Sequence, residues 1–217
     1  MNVSQAVQYR HSVRAFLDRS IDNDLLKSLL SKASRAPSGG NLQPWNIRVL
    51  NGDSMTDFLK FLSENDQPQA PEYEIYPKEL KKPYSDFRSQ SGEKLYESLN
   101  IQREDKRSRY GQVLKNFEFF GAPAGLFCFI DKQMGPPQWA DLGIFLQTFL
   151  LLSVEEGLGT CAQEIWVKKS KPIKEYFNVS SDYNVFCGVA IGYEDLKSPV
   201  NRFRTERRPI EEWCVFH

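Results

Sequence analysis

The pattern of apolar and polar positions predicts three helices and one strand in the N-terminal third of the chain. A short helix is expected over Val3–Tyr9, and a longer one begins after the candidate N-cap Asp22 and ends before Pro37. One apolar stripe follows the longer helix: Leu25, Leu26, Leu29, Leu30 and Ala33. Alternation at Ile47–Val49 predicts a strand. A third helix is expected from the spacing of Met55, Phe58, Leu59 and Leu62.

Two continuous β-prone runs, Gly125–Ile130 and Val185–Ile191, predict central strands that protein covers on both faces. Between them a long helix is expected over Pro136–Glu156, stopped by Gly157, and a short one over Ser170–Phe177. The long helix is apolar nearly all round, which is typical of burial on all sides, in a large core or at a subunit interface. The predicted fold class is α+β, a small sheet wrapped by helices.

The composition changes between residues 64 and about 110, where Pro, Tyr, Lys, Gln and Ser predominate. A long polar segment inside a compact domain is usually functional or disordered, and the aromatic residues of this one favour an ordered cover. Their faces suit planar molecules, so we expect substrate preference to be decided there, in the region of Tyr73, Tyr76, Tyr84, Phe87 and Tyr96. We predict one domain over residues 1–217, with a lid insertion at about 64–110.

Charge and length limit the possible partners. Lys plus Arg equals Asp plus Glu at 28 each, so no overall field favours nucleic acid or an anionic membrane, and any anion site must be local. The most apolar stretch, Leu142–Val154, has about 13 residues where a membrane span needs roughly 20. The N-terminus lacks the apolar run and cleavage site of a secretory signal. We therefore expect a cytoplasmic protein that binds neither nucleic acid nor membrane.

The cysteines and histidines do not predict a metal site. The 4 cysteines are widely spaced and form no CxxC pair, and the 2 histidines are His11 and His217. The usual zinc-ligand spacings are therefore missing. Reduced cysteines are the ordinary state in a cytosolic protein.

Basic side chains are concentrated at Arg10–Arg14, where His11 and Ser12 stand between two arginines. The planar guanidinium suits phosphate because it donates two parallel hydrogen bonds, and Ser12 could add another donor. The alternative is a solvated basic turn.

A second basic cluster lies in the tail, Asn201–Trp213. Its four arginines are Arg202, Arg204, Arg207 and Arg208. They could complete a phosphate site. Alternatively, Glu206, Glu211 and Glu212 could neutralise them in surface ion pairs.

The loop Arg35–Trp45 combines two adjacent glycines with amide side chains. In an extended loop, Asn41 and Gln43 would project to the same side. An amide offers a donor and an acceptor together, which suits the edge of a heterocycle such as a flavin pyrimidine. The alternative is a helix-terminating loop that is anchored in the core by Trp45.

A second glycine-bearing segment, Glu156–Glu164, follows the long helix. Gly157 and Gly159 would permit close approach of the backbone to a ligand, and the alternative is a plain helix C-cap. The segment does not match the GxGxxG fingerprint of a Rossmann site. The chain also has no GxSxG elbow, P-loop, HExxH or obvious Cys/His dyad, so an enzyme of this sequence needs a bound cofactor.

These segments, in this order, resemble the FMN-dependent nitroreductase family. The likeness is carried by RHSVR, APSGGNLQPW, GLGTCAQ and GVAIGYED followed by RTERRPIEEW. The middle of the chain, NFEFFGAPAGLFCFID with QWADLGIFLQTFLLLSVEEGLGTC, is similar to the subgroup that acts on nitrobenzoate and related nitroaromatics. The resemblance implies a nitroreductase-like fold: a small central mixed sheet wrapped by helices, a long buried helix, a lid insertion, and a homodimer with FMN at its interface.

The resemblance also implies roles for the basic residues. Arg10, Ser12 and Arg207 would hold the FMN phosphate, with Arg204 as a helper. His11 would lie alongside the ribityl chain. Arg14 would face the pyrimidine edge, where a cation stabilises the negative charge that accumulates on reduction.

Further contacts to the flavin are implied along the chain. Asn41 and Gln43 would approach the isoalloxazine, and the partner subunit's side of the pocket would be formed by Pro37, Ser38 and Gly39. Backbone N–H groups around Gln163 and Glu164 would point at flavin N5, although the chain has CAQEIW where many members carry Pro or Trp followed by glycines. The family also places a basic or amide side chain of the insertion near the flavin. The basic candidates here are Lys81, Lys82, Arg88 and Arg103.

The implied activity is electron transfer from NADPH or NADH, through FMN, to nitroaromatics or quinone-like flat acceptors in a ping-pong cycle. The chemistry would occur at flavin N5, with no catalytic side chain required. Other flavin reactions occur on the same fold, namely reductive dehalogenation, enone reduction and flavin fragmentation. A non-catalytic flavin-binding protein is a further alternative.

Overall fold

The computed structural model describes residues 1–65, 67 and 69–217, so Asp66 and Pro68 of the predicted insertion lie outside the described residues. Within this range the helices are α1 (Val3–Tyr9), α2 (Asn23–Ala33), α3 (Asp53–Glu64), α4 (Tyr84–Ser98), α5 (Lys106–Leu114), α6 (Pro136–Glu155) and α7 (Ser170–Tyr176). The strands are β1 (Asn46–Asn51), β2 (Ala124–Asp131), β3 (Gly159–Gln163) and β4 (Tyr183–Gly192). Short 3-10 turns connect several of them.

The described strands form one sheet in the order β1-β2-β4-β3, and every neighbouring pair is antiparallel. The α+β class is confirmed, but the expected mixed sheet is wrong. Continuous apolar runs show that both faces of a strand are covered, and they carry no information on strand direction. The two central strands β2 and β4 are the ones predicted as central, and both are buried along most of their length.

One face of the sheet packs against α2 and α6. Leu126, Cys128 and Ile130 of β2 point to this side, where they meet Leu29 of α2 and Phe149 of α6. The N-terminus of α2 is capped as predicted, because the Asp22 side chain accepts a hydrogen bond from the Asp24 N–H at 2.8 Å.

The other face carries an aromatic core between the sheet, α3 and α7. Phe58 of α3 has its ring centroid 5.3 Å from that of Phe127 and 6.0 Å from that of Trp166. Trp166 is fully buried and lies against Gly188 of β4, where an added Cβ would come within 2.6 Å of the indole Nε1. A glycine is therefore required at this point of the central strand.

The long helix α6 forms where it was predicted, but it is not buried on all sides in the chain. Phe145 and Phe149 face the core, whereas Ile144 is 42% exposed and Gln147 lies at the surface. In the described chain this helix is therefore buried on one side and exposed on the other.

The segment after α6 differs from a plain helix end. Gly157, with φ +75°, does end the helix, but β3 begins two residues later. This strand is an edge of the sheet, and its short sequence, GTCAQ, lacks the long apolar run by which the central strands were predicted.

The predicted insertion contains α4 and the first turn of α5. The described part of α4 has no buried residue, so this helix lies on the body of the protein without entering its core. Within the described chain, no helix combines the length and the apolar character needed to cross a bilayer.

Candidate functional site

The N-terminal basic segment is fixed to the edge strand β3. The Val13 N–H donates to the Thr160 carbonyl at 2.9 Å, and Ser12 forms a β-bridge with Thr160. Val13 is buried, and a Cβ on Gly159 would lie 2.7 Å from its Cγ2 atom. Because Val13 points inward, its neighbours Ser12 and Arg14 are left on the open side of the segment.

A buried asparagine connects this segment to the C-terminal tail. The Asn201 Oδ1 atom accepts from the Arg14 N–H at 2.8 Å, and its Nδ2 group donates to the Ala15 carbonyl at 2.8 Å. The Arg204 guanidinium in turn donates to the Asn201 carbonyl at 2.7 Å. Asn201 therefore positions both basic clusters, a role that the sequence did not reveal.

The two clusters border one groove of about 1030 Å³, which is at the upper end of the range for cofactor pockets. The five basic side chains assigned from the resemblance were expected to lie together with Ser12. The groove brings together all six residues: Arg10, His11, Ser12, Arg14, Arg204 and Arg207. No carboxylate lines it in the described part of the chain.

The electrostatics of the groove favour an anion. Burial and then the nearby charge of Arg207 lower the pKa of Arg10, so the two guanidinium groups repel each other inside the groove. Arg207 donates to the Thr205 hydroxyl at 2.8 Å and to two backbone carbonyls. Glu206 pairs with Lys94 of α4 at 2.5 Å instead of with an arginine. Among the described residues, surface ion pairing therefore does not neutralise the tail arginines through Glu206, Glu211 or Glu212.

Both ring nitrogens of His11 have protein partners. Nδ1 lies 2.9 Å from the Tyr9 carbonyl, and Nε2 lies 3.0 Å from the Glu194 carboxylate. These contacts fix the ring at the wall of the groove, where it can pack against a ligand chain without needing to reorient.

The side chains of the insertion form the opposite wall. Tyr76, Phe87 and Tyr96 line the groove, as expected of the aromatic lid residues. Arg88 also lines it, with its guanidinium carbon 4.1 Å from the centroid of the Tyr76 ring. Arg88, Ser91, Gly92, Leu95 and Tyr96 recur at intervals of three and four along α4, so one face of the helix borders the groove.

Two of the five aromatic residues named in the insertion lie elsewhere. The Tyr73 hydroxyl donates to the Phe186 carbonyl, its ring meets the edge of Trp139 at 5.1 Å, and burial raises its pKa. Tyr84 is exposed and contacts Phe87 edge-on at 6.5 Å. Tyr73 thus fastens the start of the insertion to β4, while Tyr84 supports a groove residue from outside.

An ion pair joins the two helices of the insertion. Arg109 of α5 donates to both carboxylate oxygens of Glu93 on α4, at 2.8 and 2.7 Å, and lies over the Tyr96 ring at 4.2 Å. The hydrogen bond from Arg109 lowers the pKa of Glu93. This bidentate geometry holds Tyr96 in place at the groove wall.

The amide loop forms a turn and is not extended. Gly40, Asn41 and Gln43 have φ values of 59°, 56° and 50°, and the Gln43 N–H donates to the Ser38 hydroxyl at 3.0 Å. The Gly39 N–H donates to the Asp141 carboxylate of α6 at 3.1 Å. The residues assigned from this loop, which are Pro37, Ser38, Gly39, Asn41 and Gln43, all lie outside the groove of their own chain.

Gln163 and Glu164 also lie outside the groove. The buried Gln163 side chain donates to the Asn116 carbonyl at 2.8 Å and accepts from the Trp166 indole at 3.3 Å, so the protein itself satisfies it. Desolvation raises the pKa of the Glu164 carboxyl, although part of this side chain is exposed.

Several groove residues were not predicted. They are Val7, Gln8, Ser91, Gly92, Leu95, Gln147, Phe203 and Thr205. The three- and four-residue spacing along α4 is a signal that could have found the lid residues, whereas Gln147 reaches the groove only through the position of α6. The part of the chain that the structure describes contains no group of three or more His, Cys, Asp or Glu residues that could hold a metal ion.

The chain is similar to nitroreductases along its length. The sequence profile described as the Nitroreductase family matches residues 7–193. A 4-nitrobenzoate reductase of Pseudomonas putida is 34% identical over 97% of this chain and 93% of its own length. A nitrobenzene nitroreductase of Ectopseudomonas oleovorans is 30% identical over 99% of this chain and 96% of its own. The crystal structure of the FMN and NADPH-dependent nitroreductase NfnB from Sphigopyxis sp. strain HMH superposes with a TM-score of 0.95 at 40% identity, covering 100% of this chain and 99% of that one.

Proposed function

Because the chain belongs to the nitroreductase family, we propose that it is an FMN-dependent oxidoreductase that transfers electrons from NADPH or NADH to nitroaromatic or quinone-like flat acceptors. The observation that carries this proposal is the groove itself, in which arginines from both ends of the chain converge without a carboxylate in the described lining. We infer that residues 1–217 form one domain, with the lid insertion at about 64–110.

The groove fits the phosphate of FMN. The guanidinium groups of Arg10 and Arg207 repel each other, and a phosphate between them would offset this repulsion. Ser12 adds a hydroxyl from the segment fixed to β3, and Arg204 is close by on the tail. Arg10, Ser12 and Arg207 would therefore hold the phosphate, with Arg204 as a helper, and His11 would lie beside the ribityl chain.

FMN would supply the hydride-accepting centre, and the protein supplies position and charge. Arg14 is held at the groove wall because its own N–H is bonded to Asn201 and its guanidinium to the Ser12 carbonyl at 3.2 Å. From there it would face the pyrimidine edge and stabilise negative charge on the ring. Tyr76, Phe87 and Tyr96 would exclude water from the opposite side and offer faces for a planar acceptor.

The remaining assigned residues fit a second copy of the chain better than the first. The loop containing Pro37, Ser38, Gly39, Asn41 and Gln43 lies at the N-terminal half of α6, outside its own groove. The exposed Ile144 of α6 and the exposed Val3 and Val7 of α1 offer apolar surface to a partner. We propose a homodimer in which this loop completes the partner's flavin pocket, and in which backbone N–H groups around Gln163 and Glu164 approach flavin N5.

The proposal is tested with the purified protein under anaerobic conditions. A bound flavin should give a yellow protein, its colour should bleach when NADPH or NADH is added, and it should return when a nitroaromatic follows. Colour that does not bleach would favour a flavin-binding protein without turnover. A colourless protein with no affinity for FMN would contradict the proposal altogether.

A further inference from the structure

The side of the groove that the insertion forms carries a positive charge that is not among the assigned phosphate ligands. Arg88 is on α4, and its guanidinium lies 4.1 Å from the centroid of the Tyr76 ring. Stacking on the ring restrains the long side chain and leaves the edge of its planar fork free to donate. Both residues line the same groove as the chain-end arginines, on the side formed by the insertion.

The carboxylates nearest to Arg88 in sequence have other cationic partners. Asp86 lies 3.6 Å from the Lys82 ammonium, and Glu93 is held by both N–H groups of Arg109. In the described lining of the groove, no acidic residue is available to Arg88. The guanidinium therefore faces a ligand space without a counter-charge from the protein.

The surroundings of Arg88 favour a flat anion. Phe87 and Tyr96 line the groove from the same helix, so an aromatic ring that enters on the lid side meets further rings. A carboxylate on that ring matches the guanidinium fork, which binds two oxygens in parallel. The volume of about 1030 Å³ leaves space for a small ring in addition to a cofactor.

We propose that Arg88, stacked on Tyr76, forms an anion subsite that selects aromatic electron acceptors with a negatively charged substituent such as a carboxylate. This inference rests on the proposed function and adds a preference between charged and neutral acceptors. The same guanidinium chemistry would suit a phosphate group of the nicotinamide dinucleotide, so the two half-reactions have to be measured separately.

The first experiment compares Arg88→Gln and Arg88→Lys with the unmodified holoenzyme. The photoreduced enzyme is mixed anaerobically with 4-nitrobenzoate or with neutral nitrobenzene, and reoxidation of the flavin is followed by stopped flow. The charge-assisted bond is partly screened at this exposed position, so the apparent Kd for 4-nitrobenzoate should rise about 5- to 10-fold in Arg88→Gln. The apparent Kd for nitrobenzene should change less than about 2-fold. Arg88→Lys should recover part of the lost affinity for 4-nitrobenzoate.

Arg107→Gln is the matched control, because Arg107 is an exposed arginine of the same insertion that does not line the groove. This variant should leave the apparent Kd for both acceptors unchanged. An equal effect of Arg88→Gln on 4-nitrobenzoate and nitrobenzene would overturn the proposal. So would slower reduction by NADPH with unchanged 4-nitrobenzoate kinetics, which would assign Arg88 to the dinucleotide phosphate. A raised Kd for FMN would identify it as a flavin ligand instead.

A binding measurement keeps this inference separate from the proposed function. The oxidised holoprotein is titrated with benzoate and with benzyl alcohol, and the flavin absorbance reports occupancy without turnover. Benzoate should bind more tightly than benzyl alcohol to the unmodified protein, and Arg88→Gln should abolish the difference. No preference for benzoate would contradict the subsite even if nitroaromatics are reduced. A preference without any reduction would contradict the proposed reaction alone.

Discussion

Arg10 and Arg207 come from opposite ends of the chain and share one groove closely enough for the charge of Arg207 to add to burial in lowering the pKa of Arg10. Like charges close together repel each other, and an anion between them would relieve the repulsion. The pair would therefore make affinity for a phosphate group depend on the meeting of the two basic segments.

Replacing either arginine should weaken FMN binding. Each of Arg10→Ala and Arg207→Ala would remove charge-assisted hydrogen bonds to the proposed phosphate, worth about 1.5–3 kcal/mol. The Kd for FMN should therefore rise about 10-fold or more. Quenching of flavin fluorescence measures this Kd. Arg202→Ala is the control, because Arg202 donates to the Lys197 carbonyl and lies outside the groove. Unchanged FMN affinity in both groove variants would refute the phosphate assignment.

A larger residue at position 159 should displace the basic segment Arg10–Arg14 without replacing any charged residue. In Gly159→Ala the new methyl would lie 2.7 Å from Val13 Cγ2, and such overpacking costs about 1–3 kcal/mol. The free energy of unfolding should fall, and FMN affinity should fall with it because Val13 fixes Ser12 and Arg14. Gly111→Ala on α5, where an added Cβ meets nothing within 4 Å, should be neutral or stabilising. Denaturant unfolding and flavin titration measure the two effects.

The raised pKa of Glu164 predicts how the effect of Glu164→Gln on stability depends on pH. Well below the ordinary glutamate pKa both folded and unfolded chains are protonated, so the desolvated carboxyl costs nothing there. As pH rises through that pKa, the unfolded chain ionises first and the folded protein loses stability. Glu164→Gln should therefore raise Tm at pH 8 but not at pH 4. An equal gain at both values would exclude desolvation of this carboxyl as the cause.

The exposed apolar position on α6 should control assembly. In Ile144→Glu a charge would be buried at the proposed dimer interface, so the weight-average mass in analytical ultracentrifugation should shift towards the monomer. FMN binding should weaken in parallel, because the partner's loop would no longer complete the pocket. Leu196→Glu, at another exposed apolar position, is the control. If Ile144→Glu remains dimeric, the interface lies elsewhere.

Most helices and both central strands could be predicted from local pattern. Asp22 capped its helix as expected, and the apolar runs of β2 and β4 indicated burial on both faces. The strand β3 was missed because an edge strand of five residues does not need a long apolar run. The antiparallel arrangement was missed because strand direction is set by chain connections, which periodicity does not encode.

The site was predictable where a residue type itself carries the chemistry. Arginines and Ser12 pointed to an anion, and the groove brings them together. Asn201 was missed because its importance comes from two backbone groups at the other end of the sequence, Arg14 N–H and the Ala15 carbonyl. Arg88 lacked an assigned role because only the fold of α4 places it on the groove, over Tyr76.

The meeting of the two basic segments also makes the groove a product of tertiary structure. Arg10 and Arg207 stand far apart in the sequence, and their segments are brought together by Thr160 of β3 and by Asn201. Neither segment alone forms the groove. A chain that keeps its sheet but frees the C-terminal segment would therefore lose the groove while retaining most of its core.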